Sequence, residues 1–227
     1  MLKEGLILKH AIVALAKAIL GGILIGIAGS IYLMVTDYHH IVGALLFGFG
    51  LLVICANGYN LFTGKVAYIL DRKPKYLIDI IIIIIGNLIG AGLVAIIIKM
   101  GNPASNPIWA ELTKTVDYKL SLLWYESFFL AIGCGALMYL AVDGYSRNKS
   151  DLSKTIIVIL AVVIFILAKF EHSVADMFYF TLAGVWNWQA LGTFLIILFG
   201  NAVGAFVLHY LDNLIKKYND EKDEEIQ

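Results

Sequence analysis

The chain has 227 residues, of which 60% are hydrophobic, and its mean hydropathy is +0.84. Its 17 basic residues balance its 17 acidic residues, so the net charge gives no indication of a nucleic-acid partner. Apolar runs of more than about 18 residues exclude an ordinary water-soluble domain and predict an integral membrane protein, surrounded by lipid.

Six apolar stretches predict six membrane spans. The first follows a basic N-terminus without a small-residue cleavage site, so we interpret it as a span and not as a cleaved signal. The two cysteines, Cys55 and Cys134, lie within apolar stretches and lack the spacing of a metal or redox site. The predicted spans are 11–35, 41–70, 77–100, 120–142, 155–184 and 188–213.

The second and fifth spans are too long and too polar to be single straight helices. They contain CANGYNLFTG and AKFEHSVADM at the expected depth of the hydrocarbon core. Free backbone groups at an interruption are tolerated only where protein or a water-filled cavity covers them. We therefore predict helix breaks in both spans, at Leu61 and Phe62 in one and at Glu171 and Ser173 in the other.

The basic residues are concentrated in alternate loops. Segments 71–75 and 146–154 and the tail contain several Lys or Arg residues, whereas TDYHH and AGVWNW contain none. By the positive-inside rule both termini are cytoplasmic, and residues 214–227 form a polar cytoplasmic tail. The exception is the predicted 101–119 loop, whose two lysines are offset by two acidic residues.

A short motif occurs twice, as GNLIGA from Gly86 and as GNAVGA from Gly200. Gly58, in the first interruption, lies 28 residues before Gly86, and His172, in the second, lies 28 residues before Gly200. The matching intervals predict that three spans are duplicated, and because three is odd the second copy is inverted. The predicted repeats are residues 11–100 and 120–213 of one transmembrane domain, residues 1–227.

The repeated motif combines small residues with an asparagine. Its glycines, four residues apart, allow two helices to approach closely. Asn87 and Asn201 either hydrogen-bond the chain ends that the breaks leave free or contact a ligand.

The fifth span carries five polar residues where apolar ones are expected: Lys169, Glu171, His172, Ser173 and Asp176. Ionisable groups at that depth cost about 2.5 to 3.5 kcal/mol each, so they mark a pathway or a pairing network. His172 is either a pore residue or a neutral imidazole satisfied by backbone carbonyls. For Lys169 and Glu171, forming a pair or reaching an interface is the alternative to lining a pore.

Two segments resemble the formate/nitrite transporter family: NGYNLFTGKV (57–66) and KFEHSVADMF (169–178). The likeness extends from about residue 10 to 215 and includes Lys119, the ALMYLAV segment and both Gly-Asn motifs. It implies an all-α, aquaporin-like protomer and a homopentamer in the plasma membrane, with one pore in each subunit. It also implies passage of small monovalent anions or their conjugate acids.

The resemblance implies roles for individual residues. His172 matches the family's central pore histidine, and Thr63 matches the threonine that faces it. Lys119 matches the lysine credited with drawing anions inward, and Asn201 matches a polar residue near the pore centre. The family's hydrophobic gates are matched by Phe47, Leu51 and Phe165. Without the resemblance, ordinary helix packing would explain these three apolar residues.

The sequence also departs from the family pattern. Asn60 stands where an acidic residue is usual, and Tyr59 replaces a small residue. In the fourth span, Gly135 stands where asparagine is usual, and a Val-Cys pair is replaced by Met138 and Tyr139. The departures indicate a divergent branch, with the hydrosulfide channels the first to consider, and leave the preferred anion open.

The predicted function is a membrane channel for hydrosulfide, formate, nitrite or similar anions of weak acids, with His172 sharing a proton with the anion. A proton-coupled secondary transporter of the same anions and a water or neutral-solute channel are the alternatives. We expect neither an enzyme nor a cofactor, since the sequence has no cofactor motif and no paired nucleophile and base. Asp37, His39 and His40 are interpreted as a solvated turn and not as a metal site.

Overall fold

A computed structural model of the chain describes residues 2–226, and the side chains of residues 5–222. The regular secondary structure of this part of the chain is helical, with a short 3₁₀ helix, Val66–Leu70, directly after α3. The α-helices are α1 (Leu2–Val35), α2 (His40–Asn57), α3 (Phe62–Lys65), α4 (Tyr76–Gly101), α5 (Ile108–Ser121), α6 (Trp124–Arg147), α7 (Asp151–Leu167), α8 (Ser173–Ala183) and α9 (Trp188–Ile226).

Five of these helices, α1, α2, α4, α6 and α9, are long and apolar enough to cross a membrane. The hydrocarbon core of a bilayer is about 30 Å thick. With 39 residues, α9 is about 58 Å long, so its C-terminal part extends well beyond that core. The predicted tail 214–227 is therefore a continuation of α9 as far as Ile226, and Gln227 lies outside the described residues.

The prediction of a loop at 101–119 is wrong, because most of this segment forms α5. Its apolar residues recur every four positions and so share one face of a short amphipathic helix. That face packs against α1, α8 and α9. The fourth apolar helix accordingly begins at Trp124 and not at residue 120. The buried apolar residues of α5 are Ile108, Leu112 and Val116.

The second and fifth predicted spans are each divided into two helical parts. Four non-helical residues separate α2 from α3, and five separate α7 from α8. Each interruption contains a residue in the left-handed conformation. Gly58, with φ 63°, is the first residue of one, and Lys169, with φ 54°, is the second residue of the other. Neither α7 nor α8 is among the helices long enough to cross a membrane alone.

Each half of the chain contains a similar closely packed helix pair, α1 with α4 in the first half and α6 with α9 in the second. A Cβ atom on Gly90 would lie 2.0 Å from the carbonyl oxygen of Ile19. A Cβ atom on Gly204 would lie 2.0 Å from the carbonyl oxygen of Ile132. Both pairs therefore pack backbone against backbone, as the spacing of small residues predicts.

We expect Gly90→Ala to destabilise the protein by about 1–3 kcal/mol, because the added methyl group would overlap the backbone of α1. Gly92 lies in the same helix and is the matched control, since a Cβ atom there would meet only the Thr181 side chain, at 3.9 Å. Thermal unfolding in detergent should give a lower midpoint for Gly90→Ala and an equal or higher one for Gly92→Ala. Equal midpoints for the two variants would contradict the close packing of α1 on α4.

Candidate functional site

Asn87, on α4, closes the first break. Its Oδ1 accepts a hydrogen bond from the backbone N–H of Phe62 at 2.9 Å, at the start of α3. Its Nδ2 donates to the carbonyl oxygens of Asn60 at 2.9 Å and Ala18 at 2.8 Å. The side chain is fully buried. One amide thus satisfies backbone groups within the interruption and at the start of α3.

Asn201, on α9, closes the second break in the same way. Its Oδ1 accepts from the backbone N–H of Ser173 at 2.9 Å, at the start of α8. Its Nδ2 donates to the carbonyl oxygens of Glu171 and Ala131, both at 2.8 Å. These are the hydrogen bonds expected for a structural role. Contact of Asn201 with an anion stays a prediction.

His172 and Thr63 face each other across the two breaks. His172 Nε2 lies 3.2 Å from Thr63 Oγ1, and both side chains are buried. His172 is also the N-cap of α8, where its Nδ1 accepts a hydrogen bond from the Ala175 backbone N–H at 3.1 Å. Because that N–H can only donate, the neutral imidazole carries its proton on Nε2, directed at Thr63.

The residues predicted as gates form an apolar cover beside His172. The Phe165 ring stacks on the imidazole, with centroids 5.6 Å apart and planes at 28°. Phe47 meets Phe165 edge-on at 5.8 Å. Leu51, one turn further along α2, is buried as well. The structure places these side chains together, whereas their role as gates stays a prediction.

A cavity of about 220 Å³ reaches His172 from the end of the molecule that carries α5. We call it the vestibule. Thr63, Leu51 and Asn201 are not part of its wall, so it ends at the imidazole and the two phenylalanines. The vestibule is lined by Tyr32, His40, Phe47, Lys114, Thr115, Tyr118, Lys119, Phe165, Ile166, Lys169, Phe170, Glu171, His172, Ala175 and Tyr179.

Lys119, on α5, is buried in the wall of the vestibule between two carboxylates. Its Nζ makes a salt bridge to Glu171 and another to Asp176 Oδ1 at 2.8 Å. Burial opposes the charged ammonium, but Asp176 and Glu171 outweigh it and raise the pKa of Lys119 above its ordinary value. The ammonium is therefore charged, and its charge is compensated. Attraction of anions by Lys119 stays a prediction.

Sequence reasoning missed the partner of Glu171 and the contribution of Asp176. Glu171 pairs with Lys119, from a segment predicted to be a loop, and not with the nearby Lys169. The sequence did contain a signal for this pairing. A carboxylate within an apolar span is costly unless a cation from another part of the fold neutralises it. Because the partners are 52 residues apart, the pairing depends on the packing of α5 against α8.

The polar turn between α1 and α2 contains no arrangement of metal ligands. His40 Nδ1 lies 2.7 Å from Thr36 Oγ1, and Asp37 is exposed. Across the side chains described for residues 5–222, no group of three or more His, Cys, Asp or Glu residues is placed to hold a metal ion. The turn lies instead at the mouth of the vestibule, through His40.

Comparison with known proteins gives the family. The family model described as "Formate/nitrite transporter" matches residues 7–214. The chain belongs to the formate/nitrite transporter family. It is 31% identical over 230 residues to the formate-nitrite transporter of Plasmodium knowlesi, which covers 86% of this chain and 73% of that protein.

Other members of the formate/nitrite transporter family are similar over less of their length. The chain is 28% identical over 147 residues to the formate channel FocA of Haemophilus influenzae, covering 61% of this chain. The match spans about half of that relative, 52% of its length. A solved structure titled "Pentameric formate channel with formate bound" has the same fold, with a TM-score of 0.82 and 23% identity over 92% of this chain and 98% of that chain.

Members of this family are channels and transporters and not enzymes. Together with the five long apolar helices, membership identifies the chain as an integral membrane protein. The polar cluster around Lys119 therefore lies within a membrane protein, where an unpaired charge is costly.

We expect Lys119→Gln to destabilise the protein by about 3–5 kcal/mol, since it leaves Glu171 and Asp176 buried without their cation. A triple variant, Lys119→Gln with Glu171→Gln and Asp176→Asn, has a similar shape and no charge, so it should regain most of the lost stability. The measurement is the midpoint of thermal unfolding in detergent. A single variant as stable as the wild type would contradict the buried ion cluster.

Proposed function

We propose that this chain is a passive channel for small monovalent anions of weak acids, such as hydrosulfide, formate and nitrite. The observation that carries the proposal is the His172 Nε2 hydrogen directed at Thr63 Oγ1 across the two breaks. It lies where the vestibule ends, beside the apolar cover of Phe47 and Phe165. The names of the relatives, formate channels and formate-nitrite transporters, support the class of substrate.

The proposal includes six membrane crossings arranged as an inverted 3+3 repeat, as in the aquaporin fold. The second crossing consists of α2, α3 and the 3₁₀ helix, and the fifth consists of α7 and α8. The equivalent hydrogen bonds of Asn87 and Asn201 support the duplication. With six crossings both termini lie on the same side of the plasma membrane, and the basic loops 71–75 and 146–154 favour the cytoplasm.

The assembly we propose is a homopentamer with one pore in each subunit. The pentameric formate channel of the same fold supports it. Large apolar side chains also cover the outer faces of α4 and α9, including Ile97, which is 66% exposed, and Phe199, which is 62% exposed. Such faces suit contact with lipid or with neighbouring subunits.

The apolar cover sets the energetic problem for an anion. Moving a bare ion into a dry constriction costs of order 20 kcal/mol in the idealised Born estimate and several kcal/mol after relaxation. The conjugate acid of the same anion carries no charge and avoids this cost. We therefore propose that the anion crosses Phe47 and Phe165 in near-neutral form.

His172 contributes a fixed hydrogen-bond donor to this passage. Its Nδ1 is occupied by the Ala175 backbone N–H, so the ring offers Nε2–H to the pore and keeps its single proton. The anion shares this hydrogen while it takes a second proton from hydronium in the vestibule, which gives the conjugate acid and water. Thr63 accepts the Nε2 hydrogen when no anion is bound.

Replacing His172 by Asn tests this role. Asparagine is a favourable N-cap and can still accept the Ala175 N–H, so α8 should remain capped. The Nε2–H donor is lost, and we expect formate or hydrosulfide flux into proteoliposomes to fall at least about tenfold at neutral pH, equivalent to about 1.4 kcal/mol. The loss should be smaller near pH 5, where more of the permeant is already protonated.

The same vesicles distinguish the alternatives. A ratio of variant to wild-type flux that does not change with pH would remove the proton-sharing step and leave the channel function intact. Saturable accumulation driven by a pH gradient would indicate the proton-coupled transporter. Fast osmotic swelling of wild-type vesicles without anion flux would indicate a water or neutral-solute channel and contradict the proposal.

A further inference from the structure

Three helices of the described chain end with the same backbone motif. The residue after the turn donates its N–H to the carbonyl five residues earlier, as in the bond from Phe170 to Phe165 at 2.9 Å. The turn residue is left-handed in each case, Gly58 with φ 63°, Gly184 with φ 71° and Lys169 with φ 54°. Glycine adopts this conformation without strain, whereas a residue with a Cβ atom does not.

Lys169 is therefore an exception that the fold does not require. Among residues 2–226 it is the only residue other than glycine with a positive φ. The equivalent position in the first break is Gly58, which closes α2 with the same hydrogen bonds. Strained backbone is concentrated at functional sites, so the lysine side chain is the feature to examine.

The Lys169 side chain lies in the wall of the vestibule and is exposed to solvent. Its Nζ is 5.0 Å from the centroid of the Tyr118 ring, within the range of a cation–π contact. It makes no salt bridge with any of the side chains described for residues 5–222. The ammonium is thus held beside the cavity by an aromatic face that leaves its N–H groups free for a ligand.

The other two lysines of the vestibule have carboxylate partners. Lys119 contacts Glu171 and Asp176. Lys114 lies 2.5 Å from a carboxylate oxygen of Glu111 and 3.7 Å from one of Asp37. Each of these two lysines is accompanied by two acidic groups, so neither cluster presents a net positive charge to an incoming anion.

We propose that Lys169 is the residue that binds and collects anions in the vestibule, a role that the family resemblance assigns to Lys119. This inference rests on the proposed function. The ligand class is a small monovalent anion, bound through the point charge of one solvated ammonium. Because an ammonium imposes little geometry, recruitment by Lys169 depends on the charge of the ligand and not on its shape. His172, three residues further along, lies at the inner end of the same cavity.

The test is initial formate flux in proteoliposomes at a formate concentration far below half-saturation. At low ionic strength, Lys169→Gln should lower the flux about 3- to 10-fold, and the loss should shrink at 0.5 M of an inert salt, because screening weakens the attraction. Lys169→Arg keeps the charge and should stay within about twofold of the wild type. The matched control is the double variant Lys114→Gln with Glu111→Gln, which removes an ion pair, leaves the net charge of the vestibule unchanged and should also stay within about twofold of the wild type.

Lys169→Gly separates the charge from the backbone strain. Glycine is unstrained at φ 54°, so this variant should unfold at a higher temperature than the wild type and still lose flux as Lys169→Gln does. Nitrite should show the same loss as formate.

Several results would overturn the inference. Flux of Lys169→Gln and Lys169→Gly equal to that of the wild type at low salt would do so, and so would a loss that is independent of salt. If the wild-type protein conducts formate in the same vesicles, either of these results would contradict the role of Lys169 and leave the proposed function intact. Absence of anion flux with the wild-type protein would overturn the proposed function and this inference together.

Discussion

The structure depends on the closure of two chain breaks in surroundings that provide no water. Each break leaves backbone donors and acceptors free, and each buried group without a partner costs about 1–3 kcal/mol. A primary amide supplies one acceptor oxygen and two N–H donors, which are what each break uses. Asn87 and Asn201 reach the breaks because Gly90 and Gly204 let their helices approach the neighbouring backbone to contact distance. The repeated Gly-Asn motif therefore serves one requirement, a polar amide delivered by a closely packed helix.

The same closure determines what the site offers chemically. Asn201 fixes the start of α8, and the next capping contact is made by His172, whose Nδ1 accepts the Ala175 N–H. A neutral histidine used as an N-cap has only one ring nitrogen left for another partner, and that nitrogen carries the proton. The hydrogen bonds that terminate the break thus also set the tautomer and direct the donor toward Thr63. Structure and proposed chemistry are coupled at this residue, so a substitution must preserve the cap to report on transport alone.

The sequence was sufficient for features that repeat and insufficient for contacts between distant segments. The two Gly-Asn motifs and the polar residues of the second and fifth predicted spans indicated that the helices break. The equal 28-residue intervals, however, join positions that are not equivalent, because Gly58 ends α2 whereas His172 caps the start of α8. The segment 101–119 was predicted to be a loop because it carries mixed charges and starts with Gly-Asn-Pro. The apolar pattern that identifies it as a helix, from Ile108 to Val116, is only about two turns long. The pairing of Lys119 could not be predicted, since it depends on how α5 packs on α8. The left-handed backbone conformation of Lys169 could not be predicted from the sequence, because lysine does not favour that conformation.

A channel needs binding that is strong enough to admit an ion and weak enough to release it. A buried cation such as Lys119, held by two carboxylates, is suited to stability, because releasing it to an anion would leave acidic groups uncompensated. A solvated ammonium has the opposite properties, since its attraction is screened, its partners exchange with water, and a bound anion leaves quickly. In the proposed function, the apolar layer of Phe47 and Phe165 beyond it excludes charge whatever the potential in the vestibule. Collection and passage therefore have different requirements, and in the functions we propose an exposed lysine at the entrance meets the first and a neutral imidazole beside the apolar cover meets the second.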